Sequence, residues 1–366
     1  MRISWLKFLG RHACLALTLA LPATSFGHEF GHRGGQCDCP SACTDGCAPG
    51  SATATDGATD AESQPLTEDD LAFDSESGAY AGESFASNVG YIDTAWVRTQ
   101  FRFRFDENRN LQSPDRAEFY YSAPAQFGGL VGGAIGENTS VNMQVYDFYF
   151  EHAFTCRFSA FIDVPFNAVQ PSGIPGPGDS QSGIGDLIAG FKYAIQDDFD
   201  RKLTFQLKNY CPTGDPELWL GTGHYSIEPG LLFFQRLGDR WMLEAQLRDW
   251  IPVGGTVNPN NGEDFAGNVL IYGLGLSYAL IDNGDFQVSP VVEAVGWSVL
   301  GGQKTVFDAA NVASAVNASG DTIINLKAGV RVGNYAGHSF YAGYGRCLTG
   351  DTWYDEIFRL EYRKMF

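Results

Sequence analysis

The sequence predicts an all-β fold: an antiparallel transmembrane β-barrel of about twelve strands, preceded by a disordered N-terminal arm. Three observations support this prediction. Hydrophobic residues recur with a period of two from residue 93 to the C-terminus, and the connections between the predicted strands are alternately short and long. The last strand is amphipathic and ends in an aromatic residue. A closed sheet of such strands would present an apolar face to lipid.

Composition and charge exclude several other classes. The chain has 366 residues, of which 44 are glycine, 14% are aromatic and 18% are charged, and its net charge is −19. A collagen-like chain is excluded because the glycines have no period of three, and nucleic-acid binding is not expected of so acidic a chain. The one sustained apolar stretch, residues 14–21, is too short for a transmembrane helix.

The N-terminus, residues 1–27, is typical of a cleavable secretory signal peptide. Arg2, Lys7 and Arg11 precede an apolar segment, and small residues follow at 23–27. A short uncleaved anchor is the alternative. Together with the barrel pattern, the signal predicts localisation in the outer membrane of a bacterial cell envelope, as a multi-pass barrel.

Residues 28–50 form a Cys/His-rich arm. His28, His32 and four cysteines supply ligand types suited to zinc or copper, although their spacing matches no zinc motif. Local disulfides are the alternative in an oxidising compartment, so metal binding is left open and no cofactor is predicted. Without Cys14 the chain has an odd number of cysteines, whose pairing is also left open. They are Cys37, Cys39, Cys43, Cys47, Cys156, Cys211 and Cys347.

Residues 51–92 separate this arm from the barrel. The segment is rich in Ala, Ser, Thr, Gly and acidic side chains, and it has few large apolar groups with which to form a core. It is predicted to be a disordered acidic linker, with the barrel at residues 93–366.

The predicted strands alternate apolar and polar side chains. In the first strand Phe101, Phe103 and Phe105 alternate with Arg102 and Arg104. Each segment is about long enough for a tilted strand to cross a bilayer. The twelve segments lie near 94–105, 142–154, 157–166, 185–195, 202–211, 224–237, 241–251, 267–279, 286–298, 321–332, 338–347 and 355–366.

The connections are sorted by length. Those after strands two, four, six, eight and ten are short, and those after strands one, three, five, seven and nine are long. Outer-membrane barrels have this asymmetry, with short turns on the periplasmic side and longer loops outside. A soluble β-sandwich, the structural alternative, gives no reason for it.

The C-terminal strand has one apolar face and a terminal aromatic residue. Phe358, Leu360, Tyr362 and Phe366 share that face. A last strand ending in Phe resembles the signal by which outer-membrane barrels are recognised for assembly, and this resemblance implies the barrel-assembly machinery as a partner.

Parity places many charged side chains inside the barrel. Strands one and twelve become neighbours when the sheet closes, so the arginines of both strands would share one wall. Such a wall favours anions in a pore, whereas an internal salt-bridge network that plugs the barrel is the alternative. The predicted pore-lining residues are Arg98, Arg102, Arg104, Lys192, Lys208, Glu244, Arg248, Lys327, Arg331, Arg359, Glu361 and Arg363.

No enzyme motif is recognisable in the chain, so no catalytic residues are predicted. His152, His224 and His338 lie near the ends of different strands and would have to be brought together across the sheet to form a catalytic pair. A Cys-x-Thr-Gly-Asp pattern begins at both Cys211 and Cys347, six strands apart. A disulfide between these two would require loops that fold over the mouth of the barrel.

A group of glycine motifs resembles a known family. Residues 183–193 read GIGDLIAGFKY, and PTGD at 212–215, LGTG at 220–223 and PGL at 229–231 follow. This run of about 55 residues resembles the outer-membrane proteins of the MetA-pathway of phenol degradation. The resemblance implies a barrel transporter for small, often aromatic or hydrophobic compounds, and it implies no catalytic residues.

These observations predict a channel or transporter for small solutes, with anionic or aromatic compounds as candidates. The alternative is a plugged structural or surface-interaction barrel without transport activity, and a barrel enzyme is a third class. The expected partners are outer-membrane lipid, the assembly machinery and the solutes. Oligomeric state is not predicted.

Overall fold

The computed structural model describes residues 87–111, 140–172, 180–255, 257, 262–307, 313–350 and 353–366. The predicted signal peptide, the Cys/His-rich arm and most of the acidic linker lie outside the described residues. The strands are β1 (Gln100–Leu111), β2 (Ser140–Thr155), β3 (Phe158–Ser172), β4 (Gln181–Ile184), β5 (Leu187–Asp197), β6 (Arg201–Cys211), β7 (Tyr225–Leu237), β8 (Trp241–Val253), β9 (Val269–Tyr278), β10 (Ile281–Asp282), β11 (Phe286–Val299), β12 (Gln303–Phe307), β13 (Ala313–Asn317), β14 (Thr322–Asn334), β15 (His338–Cys347) and β16 (Glu356–Met365).

Twelve of these strands form one closed antiparallel barrel. The order around the ring is β1, β2, β3, β5, β6, β7, β8, β9, β11, β14, β15 and β16, and β16 pairs with β1 to close it. The closing register places Arg102 opposite Arg363 and Arg104 opposite Glu361. The short strands β4 and β10 extend β3 and β11 at their edges, and β12 and β13 form a separate hairpin. The predicted fold class is confirmed.

The side-chain alternation explains why this sheet closes. On β2, Phe148 and Phe150 point outwards with 40% and 51% exposure, while Asp147 and Glu151 are buried inside. Outward aromatic rings pair across strands, with 5.2 Å between the ring centroids of Phe103 and Phe148. An apolar exterior around a charged interior reverses the pattern of a soluble protein and is the pattern that a bilayer requires.

The two ends of the barrel differ. One end, here the turn end, carries the short connections between β2 and β3, β5 and β6, β7 and β8, β9 and β11, and β14 and β15. The other, the loop end, carries the long ones, including a loop at residues 212–224 with a short 3-10 helix at Pro216–Leu218. The strands lie close to the predicted positions with two exceptions. β3 continues to Ser172, six residues beyond its predicted end, and β1 ends at Leu111 and starts at Gln100, not near residue 94.

Residues 87–99 explain this difference, because they do not belong to the sheet. Val89, Tyr91 and Ile92 are buried inside the barrel, although the sequence analysis assigned them to the disordered linker. Their side chains are apolar, and the barrel interior shields them from water. None of the described residues form a helix with the length and apolar character needed to cross a bilayer.

Candidate functional site

Residues 87–96, here called the lumenal segment, form a loop inside the barrel. Asn88 contacts Met242 and Ser277 near the turn end, whereas Asp93 contacts Lys208 farther along the lumen. The segment then returns towards the turn end, where the Ala95 carbonyl accepts a hydrogen bond from the Thr204 hydroxyl. The lumenal segment therefore enters and leaves at the turn end, with its apex at residues 91–93.

Three side chains of the barrel wall accept the backbone N–H groups of this segment. Glu244 accepts from Asn88 at 3.1 Å and from Val89 at 3.4 Å. Glu293 accepts from Gly90 and Tyr91, both at 2.9 Å, and from Ile92 at 3.1 Å. The Gln246 side-chain carbonyl accepts from Asp93 at 3.0 Å. Six consecutive N–H groups are thus satisfied by inward-facing side chains.

Three wall arginines hold the carbonyl groups of the same segment. Arg331 donates to the carbonyls of Asn88, at 3.1 Å, and Val89, at 2.8 Å. Arg359 donates to Gly90, and Arg363 donates to Ser87 at 3.4 Å. All three arginines were predicted to line a pore, and in the structure they bind the chain's own backbone.

Tyr91 anchors the apex of the lumenal segment. Its ring lies 4.0 Å from the Arg359 guanidinium carbon and 3.9 Å from Lys327 Nζ, both measured to the ring centroid. It also meets the Tyr341 ring edge-on at 6.2 Å. Burial raises the pKa of the Tyr91 hydroxyl well above its ordinary value, so this group stays neutral.

Many inward charged side chains are paired with one another. Glu361 is within 2.8 Å of Arg331 and 2.9 Å of Arg363, and Arg102 lies 3.5 Å from Asp163. Further pairs join Arg359 to Asp106 at 2.5 Å, Lys192 to Glu151 at 3.0 Å, and Arg104 to Asp147. This is the salt-bridge network that the sequence analysis gave as the alternative to a cationic pore wall.

Eleven of the twelve predicted pore-lining residues occupy inward-facing strand positions. The exception is Arg98, which precedes β1 and stacks on the Trp96 ring at 4.3 Å near the turn end. Arg98 was predicted to lie on strand one because the apolar–polar alternation extends over residues 95–99. These residues precede β1 and are not part of the sheet. A role for the other eleven in conduction stays a prediction.

Asp93 lies at the meeting point of two inward cations. Its carboxylate is 2.5 Å from Lys208 Nζ and 3.5 Å from Arg248 Nη1, and it accepts a bond from Gln206 at 3.2 Å. Glu228 is the second carboxylate at this point, 3.4 Å from Lys208 and 2.5 Å from Arg248. Burial opposes ionisation of Asp93, but Lys208 and Arg248 outweigh it and hold its pKa well below the usual range.

A cavity of about 240 Å³ lies between the lumenal segment and the loop end. Tyr91 and Asp93 form its floor. Six cationic and six anionic side chains line it, so its charge is balanced. Aromatic and aliphatic side chains line the part nearer the loops, and they are Met143, Val145, Tyr210, Leu220, Trp250, Val269, Ile271, Val295 and Trp297.

Asp186 fixes the loop at residues 212–224 beside this cavity. Its carboxylate accepts the N–H of Gly214 at 3.0 Å, and the N–H and hydroxyl of Thr222 at 2.7 and 2.6 Å. A Cβ on Gly221 would overlap Asp186 Oδ1, so this close approach requires glycine. The GIGD, PTGD and LGTG motifs are thus explained by one loop attachment, in which burial raises the pKa of Asp186 and these hydrogen bonds oppose the shift.

The three histidines of the described residues lie at separate places. His224 Nδ1 is 3.0 Å from the Thr222 carbonyl, and its ring contacts Trp250. His338 Nδ1 is 2.8 Å from the Tyr362 hydroxyl, and His152 contacts Phe154 edge-on. No group of three or more His, Cys, Asp or Glu side chains suited to a metal ion occurs in the described part of the chain.

The disulfide considered between Cys211 and Cys347 does not form. Cys347 is a thiol, whose Sγ lies 3.6 Å from the Ile324 carbonyl and 3.3 Å from Thr349 Oγ1. The two strands that carry these cysteines, β6 and β15, are on opposite sides of the ring, which separates their ends. The arm cysteines lie outside the described residues.

The predicted assembly residues lie on the outer face of the barrel. Leu360 is 56% exposed and the terminal Phe366 is 67% exposed. The Tyr362 ring lies 5.0 Å from Phe340, and the Phe358 ring 5.0 Å from Tyr344, centroid to centroid. Recognition of this strand by an assembly machinery stays a prediction.

Neither the lumenal segment nor its main acceptor, Glu293, was predicted from the sequence. Two signals would have pointed to them. Val89, Tyr91 and Ile92 are a short apolar cluster in an otherwise small and acidic stretch, and Glu293 is the one carboxylate in the apolar run PVVEAV of β11. A buried carboxylate requires hydrogen-bond donors, and the backbone of the cluster supplies them.

No family model matches the chain, and no curated protein matches it. Among solved structures, the chain is similar to an outer membrane channel from Pseudomonas putida F1, with 14% identity over 76% of this chain and 100% of that chain and a TM-score of 0.48. The β domain of the Bordetella autotransporter BrkA gives 17% identity, 74% and 100% coverage and a TM-score of 0.44. The KdgM porin has 9% identity over 73% of this chain and 99% of the porin chain, with a TM-score of 0.37.

Proposed function

We propose that this chain is an outer-membrane β-barrel that passes small solutes, and that its own lumenal segment closes it at rest. The cavity supports this proposal most directly. It reaches from the loop end to Tyr91 and Asp93, and between them and the turn end the lumenal segment lies buried in the lumen and bound to the wall. This segment is not a strand of the sheet, so it can move without breaking the pairing of the barrel.

The placement in the outer membrane is supported by the apolar exterior and by the sorted connections. With short turns on the periplasmic side, the lumenal segment enters from the periplasm, and the cavity faces the outside. The predicted signal peptide would deliver the chain, and the barrel-assembly machinery would act on β16. Outer-membrane lipid would contact the aromatic and aliphatic exterior.

Small anionic or aromatic compounds are the proposed solutes. Six cations line the cavity, and Arg102, Arg104, Lys208, Arg248 and Arg359 among them lie in the ion pairs described above. Trp250 and Trp297 supply flat apolar surface nearer the loops. Membership in the MetA-pathway phenol-degradation family, proposed from the glycine motifs, would agree with such solutes.

A reversible lock of the lumenal segment tests the proposal. A Cβ built on Gly273 lies 3.1 Å from Ile92 Cγ1, so a disulfide between cysteines at these two positions would fasten the segment to β9. We expect the oxidised Ile92→Cys, Gly273→Cys protein to give no current in a planar bilayer, and the reduced protein to conduct. The wild type and the two single variants, under the same oxidising and reducing conditions, are the controls.

The outcomes separate two functions. An oxidised lock that conducts as well as the wild type would show that solutes do not pass where the segment lies. If the wild type and the reduced double variant insert and both stay silent, the second candidate is favoured, a plugged structural or surface-interaction barrel. The specific observation behind that candidate is the binding of six consecutive N–H groups by the wall.

We further propose that the barrel is not an enzyme. His152, His224 and His338 each contact a different set of neighbours, as described above. Hydrolytic activity of the purified protein that is lost on substituting one of these histidines would contradict this proposal.

A further inference from the structure

The ion pair of Asp93 differs from the other inward pairs. Asp93 belongs to the lumenal segment, whereas Lys208 and Arg248 belong to the wall. Its side chain is 18% exposed towards the cavity, while the neighbouring Glu228 side chain is 1% exposed. Asp93 is thus the carboxylate at this point that a solute in the cavity can reach and replace.

Arg248 is incompletely satisfied by the protein. Its Nη1 is 2.5 Å from Glu228 but 3.5 Å from Asp93, and its Nε has no hydrogen-bond partner among the described residues. A guanidinium binds a carboxylate best through two parallel N–H groups. A carboxylate that replaced the Asp93 carboxylate would find Nε without a partner and would share Nη1 with Glu228.

Charge balance sets the charge of the ligand. Without Asp93, Lys208 and Arg248 would share the single negative charge of Glu228. The cavity would then be lined by six cations and five anions in place of equal numbers. One monovalent anion restores neutrality, and leaving a buried cation unpaired is costly.

The cavity wall sets the shape of the ligand. Trp250, Trp297 and Tyr210 lie on the loop side of the charged floor, together with Val269 and Val295. A carboxylate held at Lys208 and Arg248 would carry the rest of its molecule into this apolar region. A small ring or short apolar body fits a cavity of about 240 Å³.

We infer that Lys208 and Arg248 form a binding site for the carboxylate of a small apolar or aromatic monoanion, and that Asp93 occupies this site when no solute is bound. The inference rests on the proposed function, because it names the class of solute. Binding displaces the Asp93 carboxylate and removes a contact that holds the apex of the lumenal segment. The solute itself therefore loosens the closure.

Binding to the full-length protein, folded in detergent, tests the inference without requiring transport. The probes are benzoate, its neutral isostere benzamide, and acetate, measured by isothermal titration calorimetry. We expect benzoate to bind at least about tenfold more tightly than either of the others, because only benzoate combines the charge with the ring. Arg248→Gln should abolish this preference over benzamide.

Two variants separate displacement of Asp93 from a general charge effect. Asp93→Asn removes the competing carboxylate, so benzoate should bind at least about tenfold more tightly while benzamide is unaffected. Asp147→Asn makes the same charge change on the same cavity, but Asp147 pairs with Arg104. For Asp147→Asn we expect less than about a threefold change in benzoate affinity. Heat-modifiable migration in gels confirms that each variant is folded.

Three results would overturn the inference. The first is equal affinity for benzoate and benzamide. The second is an unchanged benzoate affinity in Asp93→Asn. The third is an Asp147→Asn variant whose benzoate affinity rises as much as that of Asp93→Asn. Acetate binding as tight as that of benzoate would refute the apolar part alone. A current that responds to the Ile92–Gly273 lock without any benzoate preference would leave the proposed function standing and refute this site. A benzoate preference without any current that responds to the lock would refute transport and leave the binding site standing.

Discussion

The carboxylate of Glu293 accepts the backbone N–H of Tyr91 at 2.9 Å in the middle of the barrel lumen. The same carboxylate accepts from both neighbours of Tyr91, and Glu293 is fully buried. Separated, the three N–H groups would be buried without partners and the carboxylate would keep only the Tyr341 hydroxyl among the partners described for it. The wall and the lumenal segment therefore satisfy each other, which explains why a glutamate occurs in the apolar run PVVEAV of β11.

Glu293→Gln should loosen the lumenal segment. Glutamine keeps one acceptor oxygen but loses the charge, and hydrogen bonds to charged groups contribute about 1.5–3 kcal/mol each, against about 0.5–1.5 for neutral ones. We expect the amides of residues 90–92 to exchange with deuterium at least about tenfold faster, measured by mass spectrometry of the folded protein. Glu107→Gln, on β1 beside Arg109, is the control and should leave these amides unchanged. Equal exchange in both variants would show that Glu293 does not hold the segment.

Gly90→Ala should open the closure from within. A Cβ at this position would overlap the ring of Tyr341, which is buried and donates its hydroxyl to Glu293 at 3.2 Å. Overpacking costs about 1–3 kcal/mol, which shifts a closed-to-open ratio by about 5- to 150-fold. Bilayer recordings should show more frequent current steps of unchanged size.

Gly350→Ala is the matched control for that variant, because a Cβ at Gly350 would meet nothing within 4 Å. We expect recordings like those of the wild type. Gly90→Ala recordings that match the wild type in frequency would mean that the Tyr341 contact does not keep the barrel closed.

The strands could be predicted from the sequence because lipid and lumen impose opposite demands on alternate residues. Ten of the twelve strands lie within two residues of their predicted positions, and the inward parity of Arg102, Lys327 and Arg359 followed from the same rule. The start of β1 did not follow, because the alternation of residues 95–99 continues the pattern of the strand without its pairing.

The closure of the lumen could not be predicted from alternation. The lumenal segment is held by its backbone: its N–H and carbonyl groups bind side chains from five different strands. Such binding requires no repeating order of apolar and polar residues in the segment itself. Parity placed Arg331, Arg359 and Arg363 in the lumen, but it does not reveal what a guanidinium binds there. Backbone carbonyls of residues 87–90 bind these three arginines, so the predicted cationic wall is already occupied.

Acid should loosen the loop at residues 212–224 through His224. Burial lowers the pKa of His224 below its ordinary value of 6.5, although the Thr222 carbonyl and Asp264 oppose the shift. His224 then binds a proton more readily when the loop is open than when it is closed. The stabilisation of the closed loop by neutral His224 is therefore complete above about pH 6.5 and is lost as the pH falls through the pKa of His224 in the closed loop. The rate of amide hydrogen exchange in this loop, corrected for intrinsic rates, should rise by at most about tenfold for each unit by which the pH falls.

His224→Gln is the variant that isolates this effect, because glutamine can still donate a hydrogen bond and does not titrate in this range. Its loop should exchange at a rate that depends less on pH between 7.5 and 5.5. The same pH dependence in the variant and the wild type would assign the effect to other groups around the loop.

Phe366→Ala should impair assembly of the barrel more than its folded stability. Phe366 is 67% exposed on the outer face, where Lys364 Nζ lies 5.8 Å from its ring centroid, and its backbone N–H donates to the Thr99 carbonyl at 3.0 Å. Removing the ring therefore costs little internal packing, whereas an assembly signal at the C-terminus would be lost. We expect most of the folded, heat-modifiable barrel to disappear from the outer-membrane fraction, while protein refolded in detergent keeps the wild-type unfolding midpoint.

Trp241→Ala is the control, since Trp241 is another exposed aromatic at the turn end but lies on β8. Equal losses for both variants would show that the ring of Phe366 acts as a general membrane anchor and not as a signal of the last strand.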